Sequence, residues 1–205
     1  MIDYLVDTSS DAGALAKMLH LHKSFIERSY SLLRFLQEEV PRSSDLRAIV
    51  YGPARNGYGA SFGSSREWVQ SYLGTGFVSK QYQPVKRPTG TFTPMPPEGL
   101  TVRLYQIRWL EKTKETPPVI WIVNCRLHVE QFEPVDFEPY FSAVFSKLER
   151  APDQTTDDSS IEEFVARPNN RLPAMHGTGT FTEIPLVAIR DETVARKLLI
   201  SPFID

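Results

Sequence analysis

Leu100-Thr101-Val102-Arg103-Leu104-Tyr105-Gln106-Ile107-Arg108-Trp109 and Val119-Ile120-Trp121-Ile122-Val123-Asn124-Cys125-Arg126-Leu127-His128-Val129 are the two stretches on which the fold turns. Between them lies Glu111-Lys112-Thr113-Lys114-Glu115-Thr116, charged and suited to a hairpin tip. Val119, Trp121, Val123, Cys125, Leu127 and Val129 alternate without a break, which places them on one face of a strand. Tyr105, Ile107 and Trp109 also alternate, whereas Leu100, Val102 and Leu104 alternate in the opposite phase. A phase change inside one strand predicts a bulge near 104–105. Pairing Trp109 with Val119 and Ile107 with Trp121 keeps the large apolar side chains on one face. Trp109, Ile107, Trp121, Val123 and Cys125 are then expected to be buried together.

Outward from the hairpin, residues 9–40 read as one long helix. Ser9, Ser10 and Asp11 offer N-cap oxygens, and Pro41 stops the run. Its apolar stripe holds Leu15, Met18, Leu19, Phe25, Ile26, Leu32, Leu33, Leu36 and Val40, with charges falling mostly between them. Such a stripe packs on a sheet or pairs with a second copy. A short strand at 48–51 leads to a glycine-rich loop at 52–63. Ser64 and Glu67 form a capping box for a helix through Trp68, Val69, Tyr72 and Leu73, ended by Gly74 and Gly76. Phe77 to Tyr82 reads as a strand, and residues 84–99 as a proline-rich connection.

Beyond the hairpin, Asp136 opens a second helix over 136–150, with Phe137, Phe141, Val144, Phe145 and Leu148 on its apolar stripe. The polar stretch 151–160 suits a flexible linker, and 161–166 one helical turn. Ile184 to Ile189 reads as a strand, and Asp191 as the cap of a short helix holding Val194, Leu198 and Leu199. The expected class is α+β: a mostly antiparallel, bulged sheet with the long N-terminal helix and helix 136–150 on one face. Residues 1–150 form the main domain, 151–160 a linker, and 161–205 a strand–helix segment packed on the same domain.

The chain has 205 residues, enough for a core without staples. Its hydrophobic content is 41% and its charged content 23%, ordinary for a folded domain. With 23 basic and 25 acidic residues, the balance does not call for nucleic acid or an anionic membrane. The one cysteine, Cys125, rules out an intrachain disulfide and suits a reducing compartment. The N-terminus does not read as a signal peptide, and no run approaches a membrane span. A cytoplasmic protein is therefore expected.

Thr-Gly-Thr-Phe-Thr occurs twice, at 89–93 and 178–182. Both copies are expected to be extended strands at sheet margins, with Phe92 and Phe181 inward and threonines outward. The hydroxyls of Thr178, Thr180 and Thr182, and of Thr89, Thr91 and Thr93, would border a common surface.

Chemistry concentrates at two places. Loop Gly57-Tyr58-Gly59-Ala60-Ser61-Phe62-Gly63-Ser64-Ser65, between a strand and a helix start, suits a phosphate or carboxylate, with Arg55 and Arg66 nearby. It matches neither a dinucleotide fingerprint nor a P-loop: Phe62 replaces a glycine and Ser64 a lysine. The second place is the strand face carrying Asn124, Arg126, His128 and Glu130. A ligand-binding set of Arg55, Gly57, Gly59, Ser64, Ser65, Arg66, Asn124 and Arg126 is expected from the two. His128 and Glu130, with His176 and Arg190 further on, have a spacing that resembles the iron(II) and 2-oxoglutarate oxygenases. That resemblance implies iron on His128, Glu130 and His176, and Arg190 on a co-substrate carboxylate. Glu130 departs from the family's usual aspartate, and helix 136–150 would interrupt its double-stranded β-helix. No catalytic set and no cofactor is assigned. His20 and His22 point about 200° apart on their helix and cannot share a metal. The leading expectation is a non-catalytic binding protein, a subunit or adaptor that meets a protein partner or itself through helix 9–40. The alternative is an enzyme or sensor for a small anionic ligand.

Overall fold

A computed structural model of the chain describes residues 9–48, 72–81, 85–87, 90–92, 99–109, 117–129, 159–166 and 175–203. In chain order its elements are helix α1 (Ser9–Ser43) and strands β1 (Leu46–Ala48), β2 (Tyr72–Ser79), β3 (Val85–Arg87) and β4 (Gly90–Phe92). Strands β5 (Leu100–Arg108), β6 (Val119–Val129), β7 (Ser159–Ala166) and β8 (Met175–Pro185) follow, then helix α2 (Glu192–Leu199). Six strands form one sheet in the order β1-β2-β5-β6-β8-β7, every neighbouring pair antiparallel. Strands β3 and β4 make a separate two-stranded sheet. The class is α+β.

The β5–β6 hairpin forms as expected, but its register differs by one residue. Arg108 stands opposite Val119, Ile107 opposite Ile120 and Gln106 opposite Trp121, with no shift down to Leu100 opposite Leu127. There is no bulge at 104–105. The expectation assumed one apolar and one polar face, whereas this sheet is buried on both. Tyr105 and Ile107 share a face with Ile120 and Ile122, so Ile107 lies on the side opposite Trp121, Val123 and Cys125. Leu100, Val102 and Leu104 stay in phase with Gln106 and Arg108, which are buried although polar. The Arg108 guanidinium makes this possible. It lies 4.0 Å over the Trp121 ring and donates to Gln106 Oε1 at 3.1 Å.

One face packs under the helices. Leu33, Leu36 and Val40 of α1 meet Leu73, Phe77, Tyr105, Ile107, Ile120 and Ile122 of the sheet, joined by Ala195, Leu199 and Ile200. Phe25 meets Trp109 edge-on at 5.3 Å. Helix α1 runs through Pro41 to Ser43 instead of stopping before the proline. Its C-terminal end is tied down: Lys80 Nζ donates to the carbonyls of Pro41 and Ser44, each at 2.7 Å. Such donors satisfy carbonyls that a helix end leaves open. Asp191 caps α2, accepting from Val194 N at 2.9 Å, as its position suggested.

Three further local expectations are corrected. Tyr72, Leu73, Gly74 and Gly76 belong to β2, not to a helix and its end. Residues 161–166 lie in β7, not a helical turn, and Ser159 and Ser160 at the end of the expected linker already pair with β8. Beyond Pro185 the chain turns into a 3-10 segment, Leu186–Ala188, where a strand was expected. Helix 136–150 and the 48–51 strand beyond Ala48 lie outside the described residues.

Both Thr-Gly-Thr-Phe-Thr copies contain extended backbone, but in different sheets. The second is no margin: β8 lies between β6 and β7. Gly179 explains why a glycine is needed there. A Cβ at that position would stand 2.6 Å from Cys125 Cα, closer than atoms pack. Phe181 is buried against Trp121, ring centroids 5.2 Å apart, and Thr180 and Thr182 take the opposite face, as expected.

Candidate functional site

Two features of the described surface are not consumed by the core. The first is the N-terminal half of α1. The helix has 35 residues and is therefore about 52 Å long. Only its C-terminal part, with Ser29, Leu33, Leu36 and Val40, is buried. Toward the N-terminus the same stripe leaves the sheet, and Leu15, Met18 and Leu19 are 43%, 60% and 57% exposed. Leu21, off the stripe, is 59% exposed. Residues 13–23 are exposed throughout. No helix among the described residues is long and apolar enough to cross a membrane.

The second feature is the polar end of the helix-side face. Rows run across the strands from Ile107, Ile120 and Ile184 through Tyr105, Ile122 and Thr182 to Arg103, Asn124 and Thr180. The next rows hold Thr101, Arg126 and Thr178, then His128 and His176. The face thus changes from apolar to polar along the strands. Arg103 marks the boundary. It is 4% exposed, donates from Nη2 to the Phe203 carbonyl at 2.6 Å, and lies 5.0 Å over the Phe203 ring. Its Nε donates to Asn124 Oδ1 at 3.4 Å. Tyr105 beside it donates to the Leu199 carbonyl at 2.7 Å, and burial pushes its phenol up to about 12.

Beyond Arg103 the strip opens. Arg126, Thr178 and Thr180 are exposed, and Asn124, His128 and His176 are half-buried. From Asn124 to His128 the strip is about 13 Å long. Gly99 supports its end. With φ at +89° it holds a left-handed backbone, and a Cβ there would collide with the His128 ring, 2.7 Å from Nδ1. Arg126 with the hydroxyls of Thr178 and Thr180 can meet an anion, and two opposed imidazoles offer ring nitrogens as hydrogen-bond partners.

The structure therefore unites two separate sequence readings, the Asn124–His128 face and the threonines of the second repeat. Arg55, Gly57, Gly59, Ser64, Ser65, Arg66 and Glu130 lie outside the described residues. The oxygenase arrangement is only partly assembled. His128 and His176 are direct cross-strand neighbours, but Arg190 follows the far end of β8, about 30 Å along the strand from His176. Among the described residues no group of three or more His, Cys, Asp or Glu side chains could hold a metal ion. Cys125 is buried on the far face, and burial pushes its thiol up to about 12, so it is a core residue and not a nucleophile.

Sequence reading missed three buried polar residues, Arg103, Gln106 and Arg108. Arg103 is accepted inside by the distant Phe203 carbonyl, and Gln106 and Arg108 by each other, two residues apart, with Trp121 of the next strand stacked under Arg108. It also missed where along α1 the stripe leaves the sheet, which depends on the lateral extent of the sheet. No protein-family model, curated protein or solved structure matches the chain.

Proposed function

We propose that this protein is a non-catalytic binding protein, a subunit or adaptor of a larger assembly, that docks its partner through the N-terminal half of α1. One observation carries this: the apolar stripe that builds the core under Leu33, Leu36 and Val40 continues onto Leu15, Met18 and Leu19 in the open. Scattered surface leucines are ordinary, but a continuous stripe on a projecting helix is a docking feature. Native mass spectrometry of the protein purified from its own host tests it. The expected result is a complex that Leu15→Glu with Leu19→Glu abolishes while the far-UV circular dichroism of the variant stays native. A complex untouched by that pair of substitutions refutes the reading.

A second reading is favoured by the gathering of Arg126, His128, His176, Thr178 and Thr180 on one strip. It makes the protein an enzyme or sensor for a small phosphate- or carboxylate-bearing ligand, held at Asn124 and Arg126. Phosphorylated ligands should then raise the melting temperature by mass action, and Arg126→Ala should remove the rise. No shift across a broad panel of such ligands counts against it.

A further inference from the structure

We infer that the occupant of the free α1 stripe is a second copy of this chain, joined helix to helix. This rests on the reading of α1 as the docking element and adds the identity of the partner. Leu15, Leu19, His22, Ile26, Ser29, Leu33, Leu36 and Val40 follow one another in alternating four- and three-residue steps along α1. That spacing is the seam of a coiled coil, in which each side chain enters a hole on a helix of like spacing. Half of the seam is already occupied. Leu33, Leu36 and Val40 are fully buried against the chain's own sheet and Ser29 is nearly so, whereas Leu15 and Leu19 are open.

The open half needs a helix with the same period, and every copy of the chain presents one of matching length. A symmetric pair also satisfies closure, because the same patch serves both partners. Charge sets a salt dependence. Lys17, Lys23 and Arg28 outnumber Glu27 on this part of the helix, and Lys23 faces Glu27 at 3.9 Å within its own helix. The apolar contact must therefore outweigh a net positive charge on each copy and should tighten with added salt. Covering Leu15, Met18, Leu19 and their flanks on both copies removes on the order of 1,000 Å², the lower bound for a specific interface. An interface of that size belongs to the weak, concentration-dependent class. His22 keeps it weak. It is exposed on the single chain and would be enclosed between Leu19 and Ile26 in the pair. A polar group at one seam position sets register at a cost in affinity.

Sedimentation velocity on the full chain, over about 1–200 µM, tests this. The wild type should shift from monomer to dimer with concentration, and Leu15→Glu with Leu19→Glu should stay monomeric with an unchanged far-UV spectrum. His22→Leu should tighten the dimer about tenfold by completing the apolar seam. A wild type that stays monomeric over the whole range overturns the inference, as does a His22→Leu variant that associates no more tightly. If the monomeric wild type still forms a host complex that the Leu15/Leu19 pair abolishes, the partner is another protein and the docking reading stands. If it forms none, both fall.

Discussion

Replacing Trp121 with alanine interrogates the far face of the sheet, the part of the core that the hairpin pattern pointed to first. Trp121 is 5% exposed. Truncating a buried tryptophan costs about 3–5 kcal/mol in lost transfer energy and cavity formation. Three contacts push this site to the upper end. The ring meets Phe181 edge-on at 5.2 Å and 86°, a geometry worth about 0.5–1.5 kcal/mol. The Arg108 guanidinium, 8% exposed, stacks 4.0 Å above it and would be left facing a void. Its Nε1 donates to Glu183 Oε2 at 2.6 Å. These overlap and do not simply add, so we expect about 4–5 kcal/mol in all. Trp121→Phe keeps a ring under Arg108 and loses the N–H, and should cost about 1–2 kcal/mol. Urea unfolding followed by far-UV circular dichroism measures both without relying on tryptophan emission. If Trp121→Ala costs less than about 1 kcal/mol, or Trp121→Phe costs as much as Trp121→Ala, the stacked arrangement is refuted.

Gly179→Ala should destabilise by about 1–3 kcal/mol, because its Cβ would press on the β6 backbone at Cys125; a neutral result in the same assay would show that β8 lies further from β6. The Glu39 carboxyl is held below its usual range by its hydrogen bond with Arg196 of α2 and, secondarily, by Arg42, whose Nη1 lies 2.8 Å away. A depressed carboxyl contributes stability above its unfolded pKa and loses it as pH falls through the folded one. The stability gap between wild type and Glu39→Gln should therefore be widest near neutral pH and close in acid, and a gap independent of pH contradicts the pairing. Cys125, buried and with its thiol pushed up to about 12, should react with a disulfide reagent at pH 8 only as fast as the protein opens; rapid labelling in native buffer would contradict its burial.

Local chemistry alone determined much of this protein. The uninterrupted β-branched and aromatic run at 119–129, the long stripe beginning at Leu15 and the Asp191 cap are each specified within a few residues, by period or by capping. So was the shared face of Asn124, Arg126 and His128, because alternation along a strand needs no partner. What the tertiary structure decided is which faces are inside. A period-two pattern separates two faces without saying that both are buried; the stacking of Arg108 on Trp121 is what lets the second face be buried without a bulge. The same holds for the site. Placing His128 beside His176, and Arg126 beside Thr178, requires β8 to pair with β6 across the 45 residues of chain between Val129 and Met175. A helix stripe likewise encodes that something will cover it. Only the edge of the sheet under Leu33 and Leu36 determines that the chain covers half and leaves Leu15, Met18 and Leu19 exposed, since non-local contacts are set by the whole fold and not by the helix itself.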